Sequence, residues 1–287
     1  MALIIDGKAE ATAIRKSLGE RVAARVAAGG RAPGLVTVLV GEDPASQVYV
    51  GRKQRESKEV GMLSELVTLP SDTRQADLIA CVERYNARDD IDGILVQLPL
   101  PEGLDEAAVI MAIDSGKDVD GLHPLNQGAL FSGVAGIRPC TPVSCMHLID
   151  MTGVDPHGLH AVVVGRSALV GKPVAMLLLE RDATVVLCHS RTSDLRAQVE
   201  AADIVVAACG VPELVRGEWI KEGAIVIDVG INRVGGKLIG DVEFATAEAR
   251  AAHITPVPGG VGPMTVAMLL ENTFSAAITR DEGAGTS

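Results

Sequence analysis

The chain alternates short runs of Val, Ile and Leu with longer segments whose apolar residues repeat at helical spacing, and this pattern constrains the fold most. Parallel strands need a crossover between them, which is usually a helix. The first series predicts strands at Gly34–Gly41, Ser64–Pro70 and Ile91–Leu98, and helices at Lys8–Ala28, Pro44–Val60, Arg74–Asn86 and Asp105–Ile113. This order predicts a parallel sheet that is covered on both faces.

A second series follows a glycine-rich interruption at Gly116–Arg138 and a predicted connecting helix at Thr141–Met151. Its strands are predicted at His160–Val164, Thr184–Leu187, Ile204–Ala208, Ala224–Val229 and His253–Thr255, and its helices at Lys172–Glu180, Ser193–Ala201 and Pro263–Thr279. The predicted fold class is therefore α/β. We expect two α/β lobes with a cleft between them, the second lobe being a Rossmann-like doubly wound parallel sheet.

The domain boundaries follow from these two series. We assign residues 1–140 to the first lobe and residues 141–263 to the second. The last helix, at about 264–280, is expected to join the first lobe. Residues 281–287 are rich in small and polar residues and are predicted to form a flexible tail.

Composition and charge exclude several classes of function. Aromatic residues make up 2% of the chain, too few for the stacking platforms that bind single-stranded nucleic acid. The formal net charge of −11 also argues against a surface that follows a phosphate backbone, so no nucleic-acid partner is expected. No segment carries about 18 uncharged apolar residues, and the N-terminus lacks a signal pattern. We therefore expect no membrane partner and a cytoplasmic location.

The five cysteines are odd in number and include no C-x-x-C pair. A disulfide scaffold and a zinc site are therefore disfavoured, and no metal is expected. Reduced and mostly buried thiols are expected instead.

A nucleotide site is indicated where the strand at His160–Val164 runs into the glycine turn GRSALVGKPV and a helix. The spacing is not G-x-G-x-x-G, but Gly165 still allows the backbone to approach a pyrophosphate. The following helix N-terminus supplies N–H donors and a positive dipole end. An ordinary strand–helix turn is the alternative.

The next strand bears on the choice of cofactor. In NAD-binding sheets of this kind, an acidic residue about 20 positions further on binds the ribose 2′-hydroxyl. Here Ser190 and Arg191 follow the strand, without an acid. A hydroxyl and arginines suit a 2′-phosphate, so NADP is favoured over NAD. Arg191 could instead cap a surface helix.

Candidate acid–base groups lie in the first lobe. Tyr49 and Lys53 stand four residues apart in a predicted helix, so both lie on one face, although such a pair is more often structural. Gly51, inside the same helix, costs about 1 kcal/mol relative to alanine. That cost predicts close packing at this position. Gln97 is a polar residue at the end of an apolar strand, where open α/β sheets place their ligands.

Two further segments carry candidate residues. Asp118 and Asp120 alternate on a segment predicted to be extended, so their side chains should face opposite ways and only one can enter the cleft. Residues 256–265, PVPGGVGPMT, predict a rigid turn whose glycines allow close backbone approach to a ligand. Ordinary turn chemistry is the alternative for both segments.

Together these segments resemble the bifunctional methylenetetrahydrofolate dehydrogenase/methenyltetrahydrofolate cyclohydrolase family, over about Ile5 to Thr273. The motifs that carry the resemblance are GEDPASQVYVGRKQRESKEVG, ILVQLPLP, KDVDGLHPLNQG, PCTP, GRSALVGKPV, CHSRT, GEWIKEGAIVIDVGIN and ITPVPGGVGPMT. One departure is Arg55, where a second lysine is common in the family. The arginine keeps the charge.

The resemblance implies a role for each candidate in the first lobe. Lys53 is implied to be the central acid/base, with Tyr49 beside it, Gln97 orienting it and Asp120 gripping the folate ring. The substrate-binding residues implied in this way are Tyr49, Lys53, Gln97, Leu98, Asp120, Gly262 and Pro263. Residues 1–140 are then the catalytic and folate-binding domain.

The resemblance also implies NADP as the cofactor, bound by residues 141–263. Arg166 and Ser190 are implied to contact its 2′-phosphate. The backbone of Gly165, Arg166 and Ser167, together with Ile231, is implied to form the rest of the cofactor wall.

The activity implied by the resemblance has two steps. The chain would oxidise 5,10-methylenetetrahydrofolate to 5,10-methenyltetrahydrofolate with NADP and then hydrolyse it to 10-formyltetrahydrofolate. A homodimer is also implied. Three alternatives stay open: a nucleotide-regulated binding protein without turnover, a monofunctional NAD-dependent dehydrogenase of the same family, and a general two-domain dehydrogenase of the shikimate or amino-acid type.

Overall fold

The structure is a computed structural model that describes residues 1–284, in two compact units. The larger-sheet unit comprises residues 1–11, 130–134 and 139–268, and the smaller-sheet unit comprises residues 12–129, 135–138 and 269 onward. Part of the predicted tail belongs to the last helix, which extends to Ala284. Residues 285–287 lie outside the described residues.

The elements are numbered in chain order. The strands are β1 (Leu3–Ile4), β2 (Gly34–Val40), β3 (Leu63–Leu69), β4 (Gly93–Val96), β5 (His160–Val164), β6 (Thr184–Cys188), β7 (Ile204–Ala207), β8 (Ile225–Asp228), β9 (Asn232–Val234), β10 (Lys237–Ile239) and β11 (His253–Ile254). The helices are α1 (Gly7–Ala27), α2 (Pro44–Glu59), α3 (Gln75–Asn86), α4 (Glu106–Ala112), α5 (Pro124–Phe131), α6 (Cys140–Asp150), α7 (Gly171–Glu180), α8 (Leu195–Glu200), α9 (Phe244–Arg250) and α10 (Val261–Ala284), with a 3₁₀ turn at Gly217–Trp219.

The smaller-sheet unit is built on a parallel sheet with the strand order β3, β2, β4. Every residue of β2 and β4 is buried, as expected for strands covered on both faces. Their apolar side chains pack with those of α3 and α4 in one core. Asp92, just before β4, is fully buried and pairs with Arg31 and Arg280, so it ties the last helix to this sheet.

The larger-sheet unit contains, within the described residues, a six-stranded sheet in the order β1, β11, β8, β7, β5, β6. All of its strand pairs are parallel. The chain runs from β5 outward to β6 and then returns to β7 on the other side of β5. The carboxyl ends of β5 and β7 therefore flank a topological switch point, where sheets of this type bind ligands.

Some elements were not predicted. The segment predicted as an interruption contains α5, which begins at Pro124, and the segment after β8 contains the hairpin of β9 and β10 and the helix α9. The hairpin turn is Gly235–Gly236, and both glycines have positive φ, at 56° and 81°, as a two-residue hairpin turn requires.

Two further observations concern membrane-spanning helices and cysteines. No helix within residues 1–284 is long and apolar enough to cross a membrane. All five cysteines are free thiols, four of them buried and Cys209 partly exposed.

Candidate active site

Lys53 and Gln97 meet in the smaller-sheet unit. Lys53 lies on α2, whose first turn is capped by Asp43 through a 2.8 Å hydrogen bond from the backbone N of Ser46. Its Nζ donates to Oε1 of Gln97 at 3.0 Å. Nε2 of Gln97 donates to the carbonyl of Leu98 at 2.6 Å, which sets the orientation of the amide. The amine therefore contacts an oriented acceptor at the carboxyl end of β4.

Tyr49 lies one turn before Lys53 on α2, and 41% of it is exposed. The expectation of close packing at Gly51 is wrong. Among the described residues, and apart from its chain neighbours and the nearby backbone of α2, a Cβ added there would meet no heavy atom within 4 Å, because the residue is on an open part of the helix surface.

The segment with Asp118 and Asp120 was expected to be extended, but residues 117–120 form a turn. The backbone N of Gly121 closes this turn by donating a hydrogen bond to the carbonyl of Asp118. Asp118 is buried, and burial raises the pKa of its carboxyl to about 6. Asp120 is partly exposed. A parallel bridge joins Asp118 to Ile94 on β4, so the turn that carries Asp120 lies beside this strand.

The glycine turn after β5 brings strands and helix close together at the switch point. Gly165 has φ +123°, and a Cβ there would lie 2.0 Å from the carbonyl of Ala208. A Cβ on Gly171, at the start of α7, would lie 2.0 Å from the carbonyl of Gly165. Neither position accepts a side chain, because backbone packs closely against backbone at both. The approach of this turn to a pyrophosphate stays a prediction.

A cavity of about 460 Å³ opens beside this turn. Its lining residues are Val164, Gly165, Arg166, Ser167, His189, Ser190, Thr192, Leu195, Ala208, Cys209, Val211 and Leu214. Among these described residues none is acidic, and Arg166 and Ser190 are both exposed. A guanidinium, hydroxyls and an apolar wall fit an adenosine that carries a 2′-phosphate better than an adenosine with a free 2′-hydroxyl.

The turn that carries Ser190 is held by local hydrogen bonds. The N of Thr192 donates to the carbonyl of His189 at 2.8 Å, and the N of His189 donates to Oγ1 of Thr192 at 2.9 Å. Nδ1 of His189 accepts from the N of Arg191 at 3.1 Å. These contacts close the turn on itself and keep Ser190 at the mouth of the cavity.

Ser167 has a structural task as well as its place in the cavity wall. Its Oγ accepts from the N of Val170 at 3.1 Å, and its carbonyl accepts from the N of Lys172. These bonds shape the entry into α7. Its hydroxyl hydrogen can still be donated to a ligand.

The remaining predicted residues of the larger-sheet unit lie after β8 and at the start of α10. Ile231 follows β8, and 47% of it is exposed. A Cβ on Gly262 would lie 3.5 Å from Cδ1 of Ile231, so these two residues are neighbours. Pro263 lies in the first turn of α10 and is partly exposed, as Leu98 is in the other unit. The predicted residues thus fall into two sets, one in each unit.

Two aspartates that were not predicted hold the strand ends near Ile231. The carboxylate of Asp228 accepts from the backbone N of Gly230, Asp241 and Val242, each at 2.9 Å. Asp241 in turn accepts from the N of Cys209 and Gly210, at 2.7 and 2.8 Å. Burial raises the pKa of Asp228 to about 6.

A charged residue at the end of an all-apolar strand was the available signal for Asp228. The contact with Asp241 could not be predicted, because it depends on the path of the β9–β10 hairpin.

Two family models match the chain. The catalytic domain of tetrahydrofolate dehydrogenase/cyclohydrolase matches residues 5–120, and the NAD(P)-binding domain of the same family matches residues 139–281. The bifunctional protein FolD of Moorella thermoacetica is 58% identical over 277 residues, which cover 96% of this chain and 99% of that protein.

Solved structures give the same result. The bifunctional FolD methylenetetrahydrofolate dehydrogenase/cyclohydrolase of Campylobacter jejuni superposes with a TM-score of 0.96 at 43% identity, covering 98% of this chain and all of that one. The Trypanosoma brucei enzyme, solved with NADP and an inhibitor, has a TM-score of 0.94 at 45% identity, with 98% of each chain covered. The chain therefore belongs to the tetrahydrofolate dehydrogenase/cyclohydrolase family.

Proposed function

We propose that Lys53 is the general base of the hydrolytic reaction of this dehydrogenase/cyclohydrolase and that Gln97 orients it. The chain oxidises 5,10-methylenetetrahydrofolate to 5,10-methenyltetrahydrofolate and hydrolyses that product to 10-formyltetrahydrofolate. The observation that carries the assignment is the 3.0 Å contact between Nζ of Lys53 and Oε1 of Gln97.

The hydrolysis needs a positioned proton acceptor. When water attacks the methenyl carbon, a proton must leave the water as the new C–O bond forms. Uncharged Lys53 accepts that proton at Nζ. Because one N–H of Lys53 is directed at Gln97, the nitrogen lone pair has a restricted set of directions. The C–N5 bond then breaks as N5 takes up the proton held by Lys53. The new hydroxyl releases its proton to solvent as the C=O bond forms, which leaves the formyl group on N10.

The oxidation makes a different demand, since no proton moves in that step. NADP supplies the acceptor for the hydride that leaves the methylene bridge. The chain holds and orients the folate for this transfer. Asp120, which is partly exposed, accepts N–H bonds from the amidine-like edge of the pterin ring. Tyr49 contributes a hydroxyl on the same helix face as Lys53.

The residues that hold NADP are in the larger-sheet unit. Arg166 and Ser190 bind the 2′-phosphate, which is supported by their exposure at a cavity without an acidic lining residue among those described. The backbone of Gly165, Arg166 and Ser167 and the exposed Ile231 form the rest of the wall. We also propose that the chain acts as a homodimer in the cytoplasm.

The test is Lys53→Met, which keeps a side chain of similar length that cannot ionise. Removing a general base costs about 10²–10⁴-fold, so cyclohydrolase activity should nearly disappear while dehydrogenase activity stays measurable. Methenyltetrahydrofolate should then accumulate, which its own absorbance reports. Tyr49→Phe should be milder, because it removes only a hydroxyl.

Lys58→Met is the matched control, since Lys58 is an exposed lysine on the same helix. This variant should keep both activities. Full cyclohydrolase activity in Lys53→Met would place the base elsewhere and overturn the proposal.

A further inference from the structure

The three residues before Asp120 are each held by a different part of the smaller-sheet unit. The first is Lys117, whose side chain is buried. Its Nζ donates to the carbonyls of Asn86 and Arg88 at 2.7 and 2.6 Å, and to that of Tyr85 at 3.3 Å. These carbonyls lie at the end of α3, where backbone acceptors lack partners within the helix. Lys117 therefore ties the turn to α3.

Asp118 closes the turn from the other side. Its Oδ2 accepts from the backbone N of His123 at 2.7 Å and from Nδ2 of Asn126 at 2.8 Å. The same Nδ2 donates to the carbonyl of Ser115 at 2.9 Å. The carboxylate is buried and accepts its hydrogen bonds from groups of the protein itself, so Asp118 holds the loop that follows it.

Val119 is held by its side chain and by its backbone. A Cβ on Gly93 of β4 would lie 2.9 Å from both methyl groups of Val119, so only glycine leaves room for this contact. The carbonyl of Val119 accepts from Nδ2 of Asn272 at 2.9 Å. That nitrogen also donates to the carbonyl of Arg138 at 2.9 Å. Asn272 on α10 therefore joins two separate segments of the unit.

From these contacts we propose that Lys117, Asp118 and Asn272 are positioning residues that hold the Asp120 carboxylate in place for the pterin ring. The inference rests on the role proposed above for Asp120. Asp120 directly follows these three buried residues, and it is itself partly exposed. Paired hydrogen bonds to a flat ring need a fixed carboxylate direction, and a small misplacement is costly.

The first experiment removes the donor from α10. Asn272→Leu keeps a similar size and loses both hydrogen bonds. We expect the KM for 5,10-methylenetetrahydrofolate and the Kd for tetrahydrofolate, measured by calorimetry, to rise about tenfold, as when one or two buried hydrogen bonds are lost. The KM for NADP should not change. An unchanged Kd for tetrahydrofolate would overturn the inference.

A pair of substitutions at Asp118 gives an independent test. Asp118→Asn keeps an oxygen that can accept from both His123 and Asn126, and it should bind tetrahydrofolate as the wild type does. Asp118→Leu removes both bonds and should weaken binding. If Asn272→Leu fails to fold, this pair carries the test. Equal binding by the two Asp118 variants would count against the inference.

A double-mutant cycle separates positioning from general stability. In an Asp120→Ala background, Asn272→Leu should add nothing further to the Kd for tetrahydrofolate, because the carboxylate that it positions is gone. Fully additive losses would show that Asn272 acts through the fold alone, and would overturn the inference. If Asp120→Ala itself binds tetrahydrofolate normally, the proposed role of Asp120 fails first, and the two failures are distinguishable.

Discussion

Nζ of Lys53 on α2 donates a 3.0 Å hydrogen bond to Oε1 of Gln97, the residue that follows β4. Nε2 of Gln97 is already committed to the carbonyl of Leu98. A flipped amide would lose both bonds, so Gln97 presents its acceptor in one direction only. The pair thus couples the direction of the Lys53 amine to the end of a buried strand.

This pair predicts two different results at position 97. Gln97→Leu removes the acceptor, and cyclohydrolase activity should fall about 10²-fold at every pH because Lys53 is misplaced. Gln97→Glu instead puts a carboxylate beside the amine and favours its protonated form. Its activity should be low near neutral pH and recover as the pH rises. Rates corrected for uncatalysed hydrolysis test this, and identical pH profiles for the two variants would contradict it.

Arg166 is expected to determine the preference for NADP over NAD. Arg166→Ala should raise the KM for NADP and leave the weaker use of NAD nearly unchanged, because only NADP carries the 2′-phosphate. Initial rates with each cofactor measure this. Arg216→Ala, at an exposed arginine on another turn of the same unit, should change neither. Equal losses with both cofactors would mean that Arg166 supports the turn.

Asp120→Asn should weaken both activities together. The substitution replaces one acceptor with an N–H donor that faces the N–H donors of the pterin ring. Truncating one side of a buried charged hydrogen bond costs about 2–5 kcal/mol of binding free energy. A folate titration and a thermal melt check the result. Asp72→Asn, at an exposed turn residue, is the control. A variant that melts earlier but binds folate normally would show that Asp120 only shapes its turn.

Asp118 predicts a pH dependence of stability. Burial raises the pKa of its carboxyl from 3.8 to about 6. The folded protein keeps a proton there that the unfolded chain releases, so this group's contribution to the free energy of unfolding falls as the pH rises from about 4 to about 6. Asp118→Asn removes the titration. Its Tm should exceed that of the wild type at pH 7, and the difference should shrink near pH 4; a gap of constant size would contradict this.

Two glycine substitutions should have opposite effects on stability. Gly51→Ala, at an open position inside α2, should raise the free energy of unfolding by about 1 kcal/mol. Gly165→Ala should lower it, because φ is +123° and the new Cβ would lie 2.0 Å from the carbonyl of Ala208. Thermal melts of both variants measure the difference. Stabilisation by Gly165→Ala would show that the turn after β5 can relax.

Much of the fold could be predicted because its signals are local. The strand at His160–Val164 was predicted with the bounds that the structure has, and α2 differs from its prediction by one residue. Glycines and prolines mark the ends of these elements, and apolar spacing distinguishes strand from helix. The Gly235–Gly236 turn carries an equally local signal for the β9–β10 hairpin, although this hairpin was not among the predicted elements.

The sequence by itself determined the α/β class, the two series of strands and helices, and the family motifs that name the candidate residues. Only the tertiary structure decided which polar groups meet. Asp118 and Asp120 look alike along the chain, yet one is buried against His123 and Asn126 and the other is partly exposed. Lys53 and Gln97 lie 44 residues apart, and Asn272 lies 153 residues from Val119. Such contacts arise when distant segments pack on one sheet, and local spacing carries no information about them.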